Sequence, residues 1–375
     1  MRLLAVAGGF ALIGLALFDG FNTVVLPRRV RHGPALSNAF YKTTWRLCAA
    51  AGRHIENGRR REEFLSIFGP LSLLSLLVLW VAAIVVGFAL LQWAAPLELG
   101  GRHGHIADAL YLSACSIVTI AFREPQNALS RLMIPIEAGF GFAIFGLVVG
   151  YLPMLYQSYS GRELRISMLD ARAGSPPSAG ELLVRQSTNR DNLKRQLADW
   201  EEWAAELLED HLSYPMLAYF RSQHANQSWL GALTAMLDSS SFVMLSSEGE
   251  LQRQSCLTFA ICRHALVDLA TVFDAQPKEP PESRLPDQSL DDLIARLKSA
   301  HTCLLLDHVW PEALADLRRQ YESYAFALSR HFLIALPQWL PDPDHPDNWR
   351  ATAWNHPGSG FAVSDPFLSK PHRSR

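Results

Sequence analysis

Three groups of side chains in this 375-residue chain are of types that hold metals or move protons. His211 and His224 flank an aromatic stretch; Cys256, Cys262 and His264 share one segment of helical periodicity, and His301, Cys303, Asp307 and His308 share another. Imidazole and thiolate are the usual zinc ligands, but a zinc site draws on closely spaced cysteine or histidine pairs, and none of the three groups has that spacing. They read as packing residues on helix faces, with no metal and no cofactor expected. Ser239, Ser240 and Ser241 supply hydroxyls after Asp238, yet no base is placed beside them, so the run reads as a helix junction. The chain has no GxSxG elbow, no glycine-rich phosphate loop and no GxGxxG turn. Without a convergent acid, base and nucleophile, no enzyme is expected.

Chemistry of another kind is available at Thr119, Ile120, Ala121, Phe122, Arg123 and Glu124, where a run of backbone carbonyls could face a cation. Two elements must position that run. Residues 64–97 carry no charged side chain and residues 132–159 carry only Glu137, and each stretch exceeds the roughly 20 apolar residues that span a bilayer. Residues 106–122 between them are half apolar and too short to cross. Leu110, Tyr111, Ala114, Ile117 and Val118 give this segment one apolar face at helical spacing, so it reads as a short re-entrant helix. In the second span, Gly139, Gly141, Gly146 and Gly150 permit close helix approach or a bend, the last two at small-xxx-small spacing. Glu137 is expected to support the loop by pairing with Arg123 or Arg131, or else to sit at the interface.

A further apolar run occupies residues 3–26 and is broken by Asp19. Its strong charges, Arg28, Arg29 and Arg31, follow it instead of preceding it, which favours a retained signal-anchor helix over a cleaved signal. Asp19, with Asn22, is expected to reach headgroup water. Between the first and second spans lie Arg28, Arg29, Arg31, Lys42, Arg46, Arg53, Arg59, Arg60 and Arg61 against Glu56, Glu62 and Glu63, so the positive-inside rule puts this loop in the cytoplasm. The re-entrant segment then enters from outside, and everything after Arg162 is cytoplasmic. A formal net charge of -2 gives no argument for nucleic acid as a partner. Five scattered cysteines argue against a disulfide framework.

The order span, re-entrant helix, then threonine, a β-branched residue, an aromatic and an acid, then a second span resembles the two-helix ion-channel domain of potassium channels. The remainder, including the segment Leu169, Asp170, Ala171, Arg172, Ala173, Gly174, Ser175, Pro176, Pro177, resembles bacterial membrane proteins of the potassium-channel-like group. The resemblance implies a homo-oligomer, a tetramer, in the inner membrane, with potassium or another monovalent cation and the lipid bilayer as partners. Thr119, Ile120, Phe122 and Glu124 fit the filter pattern, whereas Ala121 and Arg123 stand where it has glycines. A side chain at a left-handed filter position costs roughly 1–2 kcal/mol, and four copies of Arg123 at the mouth would repel cations. A degenerate filter that conducts weakly or not at all is therefore expected. The alternative is a sensor or scaffold that keeps the channel fold and acts through partners of its cytoplasmic part.

After Arg162 amphipathic helical patterns dominate. Leu197, Trp200, Ala204, Leu207 and Leu208 share one face; Pro311 starts a helix expected to run through Leu314, Leu317, Tyr321, Tyr324, Leu328 and Phe332; Ser289 and Asp292 suggest a capping box. Trp200 and Trp203 read as core residues beside solvated Glu201 and Glu202, and residues 275–288 as an internal loop. The expected fold is an all-α membrane protein. It comprises an anchor helix (1–27), a basic cytoplasmic loop (28–63), an ion-channel-like module (64–159, with spans 64–97 and 132–159 and a pore loop at 106–125), a helical cytoplasmic domain (160–340) and a disordered tail (341–375).

Overall fold

A computed structural model describes residues 1–25, 36–95, 98–99, 102–120, 125, 127–224 and 226–341. The chain is helical nearly throughout and divides into two compact units, Met1–Ser158 and Tyr159–Arg375.

The first unit is built on long apolar segments. Helix α1 (Arg2–Gly20) runs on into a π-helical turn, Phe21–Val25. Helices α2 (Leu36–Arg53) and α3 (Gly58–Ser66) follow, the latter capped by Asn57, whose side chain accepts from Arg60 N. Helix α4 (Phe68–Ala94) has 27 residues and no charge. A two-residue antiparallel ladder, β1 (Glu98–Leu99) with β2 (Arg102–His103), leads to α5 (Ile106–Ile117) and then to α6 (Ala128–Ala173). The 46 residues of α6 extend roughly 69 Å at 1.5 Å per residue, far beyond a hydrocarbon core, and the boundary between units falls within it.

Close backbone approach sets the α1–α4 pair. A Cβ on Gly9 would lie 2.7 Å from Gly87 O, and one on Gly87 would lie 2.9 Å from Gly9 O and 2.6 Å from Ile13 Cγ1. Only glycine fits there, and dispersion across such a contact is the main attraction between apolar helices in lipid. Asp19 meets Trp80 further along, so residue numbers fall on one helix as they rise on the other and the two run antiparallel. Ile13, Ala16, Ile84, Phe88, Leu91 and Ile117 form the core of this unit, with Met133, Phe140 and Ile144 of α6 packed on it.

The second unit adds α7 (Ala179–Gln186), α8 (Arg190–Ser213), a 3-10 turn (Pro215–Tyr219), α9 (Trp229–Leu245), α10 (Gly249–Val272), α11 (Asp287–Ser299), α12 (Pro311–Arg319) and α13 (Glu322–Phe332). Ser178, Asn189 and Ser228 cap α7, α8 and α9 through their side-chain oxygens. Helix α9 is buried almost end to end. Trp200 and Trp203 are buried as expected, ring to edge at 4.7 Å.

Among the described residues four helices are long and apolar enough to cross a membrane: Arg2–Val24, Gly58–Ala94, Ala128–Ala173 and Gly249–Val272. The fourth, α10, was not foreseen as apolar enough. It is nevertheless amphipathic: Leu251, Phe259, Cys262, Leu266 and Leu269 are buried, Thr258 Oγ1 donates to Leu197 O of α8 at 2.9 Å, and Arg253, Arg263, His264 and Asp268 lie off the buried face. That pattern is a core helix of the second unit.

Several local expectations are corrected. Ser239, Ser240 and Ser241 lie inside α9 and not at a junction, because each hydroxyl donates to a carbonyl three or four residues back and so needs no other partner in an apolar setting. The helix after Pro311 breaks at Tyr321, which leaves helical geometry (φ -136°, ψ -27°) and is fully buried with its hydroxyl 2.6 Å from Asp238 Oδ1. Helix α11 begins at Asp287, ahead of the proposed Ser289 cap, and His301, Cys303, Asp307 and His308 lie beyond its end in turns.

Candidate functional site at the short helix

Helix α5 has 12 residues, too few to cross, and lies against both α4 and α6. Asp108 in its first turn accepts from His105 N at 2.8 Å, which satisfies one orphan amide and places a negative charge at the positive end of the helix. Ala109 and Leu112 pack on Ala89, with Trp93 and Ile134 beside them.

A buried polar lock joins the three helices. Glu137 of α6, Gln92 of α4 and Ser113 of α5 are each 0% exposed. Gln92 Nε2 donates to Glu137 Oε2 at 3.1 Å, and Ser113 Oγ bonds to Glu137 Oε1. The Ser113 hydroxyl is also 2.8 Å from Val85 O, so one side chain of α5 touches the carboxyl of α6 and the main chain of α4. Glu137 therefore does not pair with Arg131, whose Nε reaches Pro125 O at 2.9 Å. A carboxyl in an apolar setting draws its partners from whatever polar atoms are in reach, and here those are an amide and a hydroxyl.

The far end of α5 is set by main-chain geometry. Thr119 N donates to Ser116 O at 3.1 Å and Ile120 N to Cys115 O at 2.9 Å, the paired bonds of a Schellman motif. Its left-handed residue is Thr119, at φ 58°, where glycine is usual and a β-branched residue is strained. Thr119 and Ile120 are exposed. The two main-chain bonds satisfy two of the carbonyls that the end of α5 would otherwise leave without a partner. Ala121, Phe122, Arg123 and Glu124 lie outside the described residues.

Of the glycines, Gly141 makes the contact. A Cβ there would lie 2.0 Å from Ile117 O, whereas Gly139, Gly146 and Gly150 have nothing within 4 Å of theirs. The close approach expected at Gly146 and Gly150 is thus made elsewhere, because α6 touches α5 along its first half. Sequence reasoning missed Gln92 and Ser113; their signal is that they are polar side chains inside otherwise apolar segments.

Asp19 does not reach water. It is buried, accepts from Ser37 N (3.0 Å) and Trp80 Nε1 (2.8 Å) on one oxygen and from Ser37 Oγ (2.9 Å) on the other, and so ties α1, α2 and α4 together.

Two polar clusters of the second unit are paired internally. Arg162 donates to Leu217 O and Phe220 O at 2.9 and 2.8 Å and pairs with Glu163. His211 Nδ1 is 2.7 Å from Leu207 O, and Nε2 is 3.5 Å from Arg162. Burial, and then the neighbouring guanidinium, push the His211 pKa down to about 3, so the ring is neutral. Asp238 pairs with Arg284 and accepts from Tyr321, while Glu322 bridges Arg284 (3.5 Å) and Arg318 (3.1 Å). Among the described residues no three His, Cys, Asp or Glu side chains lie together where they could hold a metal ion. No family model, curated protein or solved structure matches the chain.

Proposed function

We propose that the chain is a pore-loop integral membrane protein of the potassium-channel-like kind, with a degenerate filter at Thr119, Ile120, Ala121, Phe122, Arg123 and Glu124 that conducts weakly or not at all. The observation that carries this reading is the lock on α5. A helix too short to span is held between two long apolar helices by Glu137, Gln92 and Ser113, and the candidate filter follows it directly in the chain. A loop that merely covered one face of a two-helix hairpin would need neither a fully buried carboxyl nor a glycine contact against its last turn. On this reading the monovalent cation meets backbone carbonyls after α5, the unit is completed by further copies of the chain, and the second unit is cytoplasmic.

The test is cation flux into liposomes carrying the purified chain, with potassium, sodium and chloride gradients compared with protein-free vesicles. The expected result is flux near baseline for the native sequence and a rise for Ala121→Gly with Arg123→Gly. Baseline flux in that double variant, inserted and oligomeric, would overturn the pore reading and favour a scaffold acting through its helical unit.

A further inference from the structure

Helix α2 carries three basic residues and no acidic one. Lys42, Arg46 and Arg53 recur at intervals of four and seven, which brings them within about 40° of one another around the helix. All three are exposed. The flank beside it is fixed: Ala49 and Trp45, about 20° and 60° around the helix from Lys42, are buried, Trp45 stacks edge-on against Phe68 of α4 at 4.9 Å, and Ser37 at the start of α2 is held by the Asp19 carboxylate.

These anchors set the level of α2 along α4. Ser37 shares Asp19 with Trp80, and Trp45 meets Phe68, so α2 runs beside the first twelve or so residues of α4, roughly 18 Å of it. The first residues of α2, Leu36 to Tyr41, carry no charge, and the charges begin at Lys42. The neighbouring surface is apolar and uncovered: Leu47 of α2 is 69% exposed, and Ile67, Leu71, Leu74 and Val78 at the start of α4 are exposed as well. Cations beside a bare apolar surface, on helices that continue into bilayer-length segments, match the boundary between headgroups and acyl chains, where long basic side chains turn their charge outward over buried stems.

We propose that the Lys42, Arg46 and Arg53 face of α2 binds the anionic phospholipid headgroups of the leaflet at which α1 ends and α4 begins. The proposal rests on the reading that α1 and α4 cross the bilayer. Charge complementarity and the flanking apolar side chains select a lipid surface over an acidic soluble protein, which would leave Leu47, Ile67 and Leu71 in water. Helix α3 carries Arg59, Arg60 and Arg61 against Glu62 and Glu63, with Arg59 and Glu63 paired at 3.1 Å.

The experiment uses the full chain in nanodiscs of mixed phosphatidylglycerol and phosphatidylcholine, with lipids retained on release counted by native mass spectrometry. Each basic side chain at such a surface strengthens binding about fivefold, so Lys42→Gln/Arg46→Gln/Arg53→Gln is expected to lower the preference for phosphatidylglycerol roughly a hundredfold at low salt, and Arg46→Gln alone about fivefold. Half-molar salt is expected to erode the native preference, and Lys298→Gln on the second unit to leave it intact. Should the triple variant fail to fold, Arg46→Gln and Arg53→Gln carry the test separately. A preference unchanged in variants that remain membrane-integrated would overturn this proposal alone. Recovery of the native chain in the aqueous fraction would overturn the spanning reading and this proposal with it.

Discussion

Replacing Gly141 with alanine tests whether the contact between α5 and α6 is as close as its geometry requires. The new Cβ would lie 2.0 Å from Ile117 O and 3.0 Å from Ile117 C, about 1.4 Å short of the 3.4 Å at which ordinary contact begins. The obstacle is main chain, which cannot turn aside as the tip of a flexible side chain can. The end of α5 must therefore move away from α6, and overpacking of this kind costs about 3 kcal/mol at its upper range. Alanine in place of glycine recovers about 1 kcal/mol of helix propensity, which leaves a net loss of about 2 kcal/mol. For a unit of this size that corresponds to a fall in Tm of roughly 4–8 °C, read by thermal melting of the purified protein in detergent. Gly139→Ala, Gly146→Ala and Gly150→Ala are the internal controls. With nothing within 4 Å they keep the propensity gain and melt at or slightly above the parent. Gly141→Ala melting together with those three would refute the packing argument.

Asp19→Ala leaves Ser37 N, Ser37 Oγ and Trp80 Nε1 buried without their acceptor and is expected to destabilise the first unit by about 3 kcal/mol, with Asp19→Asn retaining part of the loss; detergent melts of both variants check the ordering. Thr119→Gly relieves a β-branched residue at φ 58° and should raise stability by about 1 kcal/mol, so an unchanged or lower Tm would contradict the C-cap assignment. His211 has its folded pKa depressed to about 3, so its neutral form contributes stability that is complete above the unfolded value near 6.5 and is lost as pH falls toward 3. Relative to His211→Gln, the native chain should lose about 1.4 kcal/mol per pH unit below pH 6, and parallel pH–stability profiles would sink that account. Glu137→Leu strands Gln92 Nε2 and one contact of Ser113 inside the unit at a cost of about 1–3 kcal/mol, measured in the same melts with Glu137→Gln as the milder partner.

Elements whose character is continuous along the chain are legible in the sequence. The uncharged run that becomes α4, the short apolar-faced segment that becomes α5 and the Leu197, Trp200, Leu208 face of α8 each announce themselves by composition or period, because burial acts on whole faces. What the sequence does not carry is the partner of a single polar atom. Glu137 lies 45 positions from Gln92 and 24 from Ser113, and Asp19 lies 61 from Trp80, so their pairing depends on how helices cross and not on any local spacing. The same limit hid which of the four glycines of α6 makes the contact, since Gly141 differs from Gly139 only in the side of α6 it faces. Ser239, Ser240 and Ser241 misled for a different reason: serine favours junctions in water, but inside a buried helix its hydroxyl turns back on the main chain. Tyr321 broke an otherwise regular heptad-like pattern because Asp238, 83 positions away, holds its hydroxyl.

Asp238, Arg284, Arg318 and Glu322 form a neutral set of two acids and two bases inside the second unit. Losing one member leaves a partner charged and unmatched, a step that costs about 3–5 kcal/mol, while exchanging the whole set for well-packed apolar side chains of similar volume is close to neutral. The four positions are therefore bound together in descent. No gradual series of single substitutions leads away from the set without passing through a poorly folded ancestor, so lineages of this chain should keep all four or lose all four.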